Sequence, residues 1–497
     1  MSDSIERNVV SYYLSAIIPS AISYIFWIIV ANLTNPGVVG VVAAIGAFSM
    51  LLGVISGVDV NVSMRTFLGK AVKENDWSYF KHVVSSSILF TSITAIVIVL
   101  IAINPFFDVL SHFGIENQFI PIIIAIVIGN SIVNVAVGAI ISSLKSKKLV
   151  IPYVIAPLGK IVFLFLLYSL FEISEYSTAW AFASLYVILA VLLLTYTFNN
   201  LRKIQGPFFY NTINDLKFLI RSGSAKWIPD IILALGTQLS ILIVFSIRGA
   251  AEGGLFYISF ALFGVLLIVS KSMVTISHPV LSGIENLDKQ KKFLTKTLKF
   301  SFLGTMPLGA ILLFYAKPIL SIFGEDFTGS SDVLFILTLS IPLVIISDAI
   351  YFLFYAKGMY KNVFFLGLSS NLPRIILYFV LVPEFGAEGG AIGFVVGSGI
   401  QTILTIILIE RIKFRLQYVK FFLISIIPFA IGYFLDLFSM GVFGAGVIIL
   451  LSVLIYLKLK LIDEDNIEIM LRLIMNKNKA KNAKDEIVIR LKSIHLM

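Results

Sequence analysis

Fourteen apolar stretches divide this chain, and its positive charges fall almost entirely on one side of them. About 20 apolar residues are needed for a helix to cross the hydrocarbon core of a bilayer. Runs of this kind lie at 8–31, 38–59, 82–103, 119–144, 150–171, 178–199, 227–247, 252–275, 300–316, 332–356, 362–382, 389–409, 418–435 and 442–458. Of the 38 Lys and Arg, 34 fall on the side that carries Arg7, Arg65, Lys145, Lys271, Lys357 and the C-terminal tail. The opposite side holds only Arg248 and Lys317, and two cations, Lys160 and Arg374, lie deep inside runs rather than at their ends. Positive loops stay in the cytoplasm. The pattern therefore predicts an all-α integral membrane protein of the cell (cytoplasmic) membrane, with fourteen transmembrane helices and both termini inside. One missed or invented span would reverse the alternation from that point on, and no reversal occurs.

The composition agrees: 58% of residues are hydrophobic, 13% are charged and the mean hydropathy is +0.98. A formal charge of +10 would suit a nucleic-acid binder. Here, however, the cations line one rim, where they meet anionic membrane lipids instead. The chain has no cysteine, which excludes disulfides, thiol catalysis and cysteine metal sites. Its four His (His82, His112, His278, His495) show no ligand spacing, so no metal and no cofactor is expected. The first run is preceded by Asp3 and Glu6 and lacks a small-residue cleavage site, unlike a signal peptide. No phosphate-binding G-x-x-x-x-G-K-[ST] and no hydrolase or metalloprotease cluster occurs, so the chain does not read as an enzyme.

The connections on the outer side are short, and none could hold a folded domain. Those on the inner side are longer. Segments 60–81 and 276–299 each read as an interfacial amphipathic helix followed by a basic elbow. Segment 200–226, with Gly206-Pro207, is the longest polar break and separates two halves. The expected organisation is a six-helix lobe at 1–205, a second at 206–415, two additional spans at 416–461 and a basic cytosolic tail at 462–497. The halves share a rhythm of loops. Asn35-Pro36-Gly37 in one corresponds to Ala251-Glu252-Gly253 in the other, and Lys145 to Lys357, 212 residues later. Fifteen residues after Lys145 comes Lys160, and seventeen after Lys357 comes Arg374. Six spans per half is an even number, so the two copies run parallel about an axis along the membrane normal.

This arrangement, with its Asn35-Pro36-Gly37 loop after the first span and its basic elbow after the second, resembles the multidrug/oligosaccharidyl-lipid/polysaccharide exporter superfamily over residues 5–460. Fourteen spans without soluble domains look most like its polysaccharide-type flippases, which move polyprenyl-diphosphate-linked glycans. The resemblance implies a V-shaped pair of lobes working by alternating access. It also implies a lipid-linked glycan as substrate and glycosyltransferases of the same pathway as partners.

An ionisable group at mid-bilayer costs at least about 2.5–3.5 kcal/mol, so it is usually buried in protein and often functional. Lys160 and Arg374 are close to the midplane at similar positions in the two halves, where cations would hold a diphosphate. Arg374 has a second reading, because Asp348 on the preceding span is about four residues different in depth. That is roughly 6 Å at helical rise, so an ion pair Asp348–Arg374 fits equally well. Lys160 has only Asn130 and Asn134 at the matching depth of its neighbouring span, with Asp59 further in. Asp230 lies four residues after Lys226, which fits an interfacial pair or a coupling role. Arg65, Arg221 and Lys271 stand at the cytoplasmic mouth, to recruit an anionic lipid or to contact the lipid surface. Small-residue spacings, Gly53-x-x-x-Gly57 and Gly386 to Gly399, predict close helix packing.

Three functions compete. Translocation of an anionic lipid-linked oligosaccharide fits best. A multidrug/cation antiporter of the same superfamily would want carboxylates deep in the first lobe, and spans 1–6 have none near the midplane. A membrane-embedded glycan polymerase would need a sizeable loop with acid/base or metal-binding residues. The longest outer loop is about 15 residues, with Glu325 and Asp326.

Overall fold

The backbone of a membrane span finds no water to bond, so it closes its hydrogen bonds within itself as a helix. A computed structural model of the chain describes residues 20–104, 106, 108–143, 145–210, 212–284, 286–412, 418–437, 443–462 and 483–486. All regular structure among the described residues is helical. The helices are α1 (Ser20–Leu33), α2 (Pro36–Gly57), α3 (Val60–Lys73), α4 (Trp77–Ala102), α5 (Val109–His112), α6 (Ile120–Ser142), α7 (Val150–Leu170), α8 (Glu175–Arg202) and α9 (Thr212–Arg248). They continue with α10 (Ala250–Gly283), α11 (Leu287–Phe314), α12 (Ala316–Ser321), α13 (Ser331–Leu339), α14 (Ile341–Ala356), α15 (Tyr360–Arg411), α16 (Tyr418–Leu437) and α17 (Phe443–Lys458).

Ten described helices are long and apolar enough to cross a membrane. One of them, α15, has 52 residues, enough for two crossings at 1.5 Å per residue. Residues 325–339 and 341–356 form a bent pair at 43° that amounts to one more span, and α1 and α17 are shorter apolar helices. Each of the fourteen intervals read from the sequence overlaps one of these elements, although residues 8–19 of the first interval and residue 442 lie outside the described residues and α1 and α17 are shorter than a span.

The borders are set by local chemistry. Asn35 caps α2, its Oδ1 accepting from the Val38 N–H at 3.2 Å, and Pro36 takes the first helical position. Asp76 caps α4 through the Tyr79 N–H at 2.9 Å. Ser174 and Ser177 close a reciprocal cap on α8. Elsewhere the elements run longer than expected. The helix expected near 276 continues α10 to Gly283, and α9 begins at Thr212, inside the expected polar break. The outer loop expected at 383–388 is helical except at Gly386, where φ 55° and ψ −134° interrupt α15. That left-handed conformation is open to glycine, so one residue does the work of a loop.

By contact the chain forms two units. The first comprises 1–258, 322–330 and 367–393; the second comprises 259–321, 331–366 and 394–497. In the first, α6 packs on α4 and α8, α7 on α8, and α9 on α2, α3 and α4. Packing therefore groups α9, from the expected second half, with helices of the first. One core cluster joins α3, α4, α6 and α9 through Met64, Val84, Val135 and Leu219. Another joins α6, α7 and α8 through Ala136, Ala156 and Leu193. In the second unit, α11 packs on α14, α16 and α17, with Ala310, Tyr315, Ile431 and Ile448 at its centre.

Two further features belong to the first unit. Helix α7 carries an exposed stripe, Ile151, Ile155, Leu158, Val162 and Leu166, and a buried one, Pro152, Ala156, Lys160 and Leu164. Both follow helical spacing, so one face suits hydrocarbon and the other the protein interior. The first turns of α2 and α10 also touch backbone to backbone. A Cβ on Gly40 would lie 1.8 Å from the Ala250 carbonyl oxygen, and one on Gly254 would lie 1.9 Å from that of Pro36.

Candidate substrate and coupling sites

Lys160 sits near the middle of α7, on its buried stripe, and is 1% exposed. Its ammonium lies 4.0 Å from the centroid of the Phe26 ring on α1 and 5.7 Å from that of Phe182 on α8. Trp27 packs on both rings, at 5.4 Å from Phe26 and 5.7 Å from Phe182, and Tyr186 extends the cluster 5.9 Å from Phe182. No carboxylate pairs with Lys160 among the described residues. A desolvated cation–π contact contributes roughly 2 kcal/mol or more, whereas burying an ammonium costs several kcal/mol. The rings thus offset only part of the cost, and either an anion beside the nitrogen or loss of its proton would remove the rest.

Arg374, on α15, is 4% exposed. It donates to Asn371 Oδ1 at 3.1 Å, and Asn371 in turn donates to the Gly367 carbonyl at 2.9 Å. One turn further, the Tyr378 hydroxyl donates to the Gly236 carbonyl of α9 at 2.9 Å. Gly236 admits this clasp because a Cβ there would lie 1.9 Å from Asn371 Oδ1. Asn371, Arg374 and Tyr378 thus share one face of α15. Asp348 stands on α14 in the second unit. Its neighbour Ser347 has Oγ 3.0 Å from Thr402 Oγ1.

Asp59 and Asp230, 171 positions apart in sequence, line one cavity of about 200 Å³ with Thr91, Asn130 and Asn134. Three local features build it. Val58 and Asp59 both have positive φ, 45° and 44°, at the break between α2 and α3; for a β-branched residue this is strained. Gly53 lets Asn130 approach α2, since a Cβ there would lie 2.9 Å from Asn130 Nδ2. Trp227 Nε1 donates to the Val54 carbonyl at 3.0 Å and to the Ile55 carbonyl at 3.2 Å, which ties α9 to the end of α2. Asn130 and Asn134, expected at the depth of Lys160, belong to this cavity. The arrangement offers carboxylate, amide and hydroxyl oxygens to a proton or a hard cation.

Arg65 and Lys271 stand on α3 and α10, and their side chains lie outside those described, as does that of Lys226. The tail beyond residue 462 also lies outside the description, apart from 483–486.

A further polar pair was not legible in the sequence. His82 on α4 and Asp215 on α9 are both 7% exposed, with Nδ1 and Oδ2 at 2.8 Å. Burial pushes the Asp215 carboxyl above the usual carboxylate range, and the His82 ring draws it part of the way back. Next to them, Lys81 donates to the carbonyls of Ile204 at 2.9 Å and Gly206 at 2.8 Å. It also lies 4.1 Å over the Phe208 ring. The linker before α9 is thereby strapped to α4.

No protein-family model matches the chain, and no curated protein does either. Solved structures do match its fold. A structure described as the lipid II flippase MurJ, in an inward closed conformation, aligns with 90% of this chain and 98% of its own at TM-score 0.72 and 16% identity. An inward-facing multidrug resistance MATE family transporter of the MOP superfamily aligns with 81% of this chain and 98% of its own, at TM-score 0.64 and 14% identity. A MOP superfamily transporter from Pyrococcus furiosus aligns with 83% of this chain and 95% of its own, at TM-score 0.59 and 17% identity. The chain has the fold of the MOP superfamily transporters, as the resemblance implied.

Proposed function

We propose that this protein translocates an anionic polyprenyl-diphosphate-linked oligosaccharide across the cytoplasmic membrane by alternating access, for assembly of a cell-surface glycan. The observation that carries the reading is Lys160: a buried ammonium on the interior stripe of a span, held by rings and lacking a carboxylate among the described residues. A diphosphate supplies the missing counter-charge. The fold shared with a lipid II flippase supports the same direction. On this reading Lys160 and Arg374 bind substrate, and Arg65 and Lys271 attract it at the cytoplasmic mouth. The two six-helix lobes act as the halves that alternate, with both termini in the cytoplasm.

The cavity of Asp59 and Asp230 takes the coupling role. Protonation or cation binding there would neutralise two carboxylates at the junction of α2, α3 and α9. The same cavity favours the second reading, a cation antiporter, because it places carboxylates inside the first unit. Reconstitution decides between them. Proteoliposomes carrying a fluorescent polyprenyl-diphosphate glycan should expose it to an outside-added reductant only when the protein is present. Proton- or sodium-driven efflux of a lipophilic cation, without glycan movement, would select the antiporter.

A further inference from the structure

The first unit contains a second, larger cavity, of about 780 Å³, on the side that the charge pattern assigns to the cytoplasm. Its walls are the turn that starts α4, the end of α6, the end of α8 and linker residues 203–205. The volume is that of a small-molecule site, roughly 300–1,000 Å³. Neither Lys160 nor the Asp59–Asp230 pair lines it.

The lining has a definite chemistry. Lys145 and Lys203 face it, and neither forms an ion pair among the described residues. The one lining carboxylate, Asp76, is engaged with the Tyr79 N–H as the cap of α4. The start of α4 also brings the positive end of its helix dipole. Trp77 and Tyr196 contribute flat apolar surfaces. Asn200 spends its amide on the Tyr196 carbonyl at 2.7 Å, leaving its oxygen as an acceptor. Thr197, 4% exposed, has a hydroxyl with no hydrogen-bond partner; a buried polar atom left so costs about 1–3 kcal/mol. Net positive charge, rings and spare amide and hydroxyl groups suit a hydroxyl-rich anion. The linker wall is held in place by Lys81 through the Ile204 and Gly206 carbonyls, so the pocket is preformed.

We propose that this cavity is a docking pocket for acidic sugars, carrying a carboxylate or phosphate, of the glycan that hangs into the cytoplasm before transport. The inference rests on the lipid-linked glycan reading and adds to it a recognition site at the ends of α4, α6 and α8 on the basic side. Lys145 and Lys203 would meet the anionic groups, Trp77 and Tyr196 the sugar faces. An acidic glycan would be selected over a neutral one before the carrier lipid reaches Lys160.

The test uses the full-length protein in nanodiscs of zwitterionic lipid. The probes are a hexuronate tetrasaccharide, uridine diphosphate glucuronate and maltotetraose, with binding read by calorimetry and by tryptophan fluorescence. The hexuronate should bind and maltotetraose should not. Lys145→Glu/Lys203→Glu should weaken binding more than tenfold at an unchanged thermal midpoint, while Lys147→Glu, on an exposed position outside the lining, should leave it intact. Trp77→Phe should abolish the fluorescence change. No hexuronate binding, equal binding of maltotetraose, binding by the sugar nucleotide alone, or binding indifferent to the double reversal would each overturn the proposal. Glycan transport by the wild type without hexuronate binding removes the pocket and spares the flippase reading. Binding that depends on Lys145 and Lys203, without any glycan transport, removes the flippase reading and leaves the pocket.

Discussion

The Lys160 ammonium and the Phe26 ring face each other across α7 and α1 with 4.0 Å between nitrogen and centroid. The contact lets a cation remain inside the protein without committing it to a fixed carboxylate. An acid in place of Phe26 would hold the lysine more tightly and close it to any passing anion. A ring stabilises the charge weakly and leaves its hydrogen-bond donors unspent.

Lys160→Ala and Lys160→Gln should therefore lose transport while keeping the fold, since deleting an uncompensated buried charge costs little stability. One charge-assisted contact is worth about 1.5–3 kcal/mol, so a loss of roughly ten- to hundredfold is expected. Lys160→Arg should keep more activity than either, because it keeps the charge. The measurement is transport at matched membrane abundance, and full activity of the Ala variant would end the assignment.

Arg374 calls for a double-mutant cycle with Asp348. If the two form a structural pair, Asp348→Ala should lower abundance and Asp348→Ala/Arg374→Ala should restore part of it, because an unpaired buried charge is worse than none. If Arg374 binds substrate instead, the double variant should fold and remain inactive. Additive loss of abundance with no rescue would refute the pairing.

Orientation is open to cysteine labelling in this cysteine-free chain. Ser111→Cys and Glu172→Cys should react with an impermeant maleimide from outside, and Lys147→Cys should not. Lys147 is exposed and is the correct inner probe. Its neighbour Ser146 is only 7% exposed, so silence there would say nothing about sidedness. Outside labelling of Lys147→Cys alone would invert the topology.

Gly236→Ala should be among the more damaging single-methyl changes in the chain. The added Cβ would lie 1.9 Å from Asn371 Oδ1, at the point where Tyr378 bonds the Gly236 carbonyl. Overpacking of this kind costs about 1–3 kcal/mol. A fall in the detergent thermal midpoint is expected, and an unchanged midpoint would mean that α9 and α15 can move apart.

What the sequence disclosed depended on range. The spans were legible because an apolar run of membrane length has few other uses, and Lys160 stood out as a charge inside one. Its partners did not stand out: Phe26 and Phe182 are two of 42 phenylalanines, and no spacing marks the ones that meet a lysine. Asp59 and Asp230 were noted separately, but no local pattern joins α2 to α9. The linker strap was hidden for the same reason, since backbone carbonyls such as those of Ile204 and Gly206 leave no trace in residue type. The pause in α15 was expected as the six-residue connection 383–388 between two apolar runs, yet Gly386 alone interrupts the helix.

The meeting of α2 and α10 has a symmetry of its own. Gly40 abuts the Ala250 carbonyl and Gly254 abuts that of Pro36, and each partner is 214 positions from its counterpart, 36 to 250 and 40 to 254. Such reciprocity is the signature of an isologous interface, in which each side presents the same patch to the other. Here only the glycine and the carbonyl four positions before it recur, Pro36 and Gly40 on one side and Ala250 and Gly254 on the other. Any mutation at one glycine then has a structural twin at the other, and the two should be interchangeable in effect.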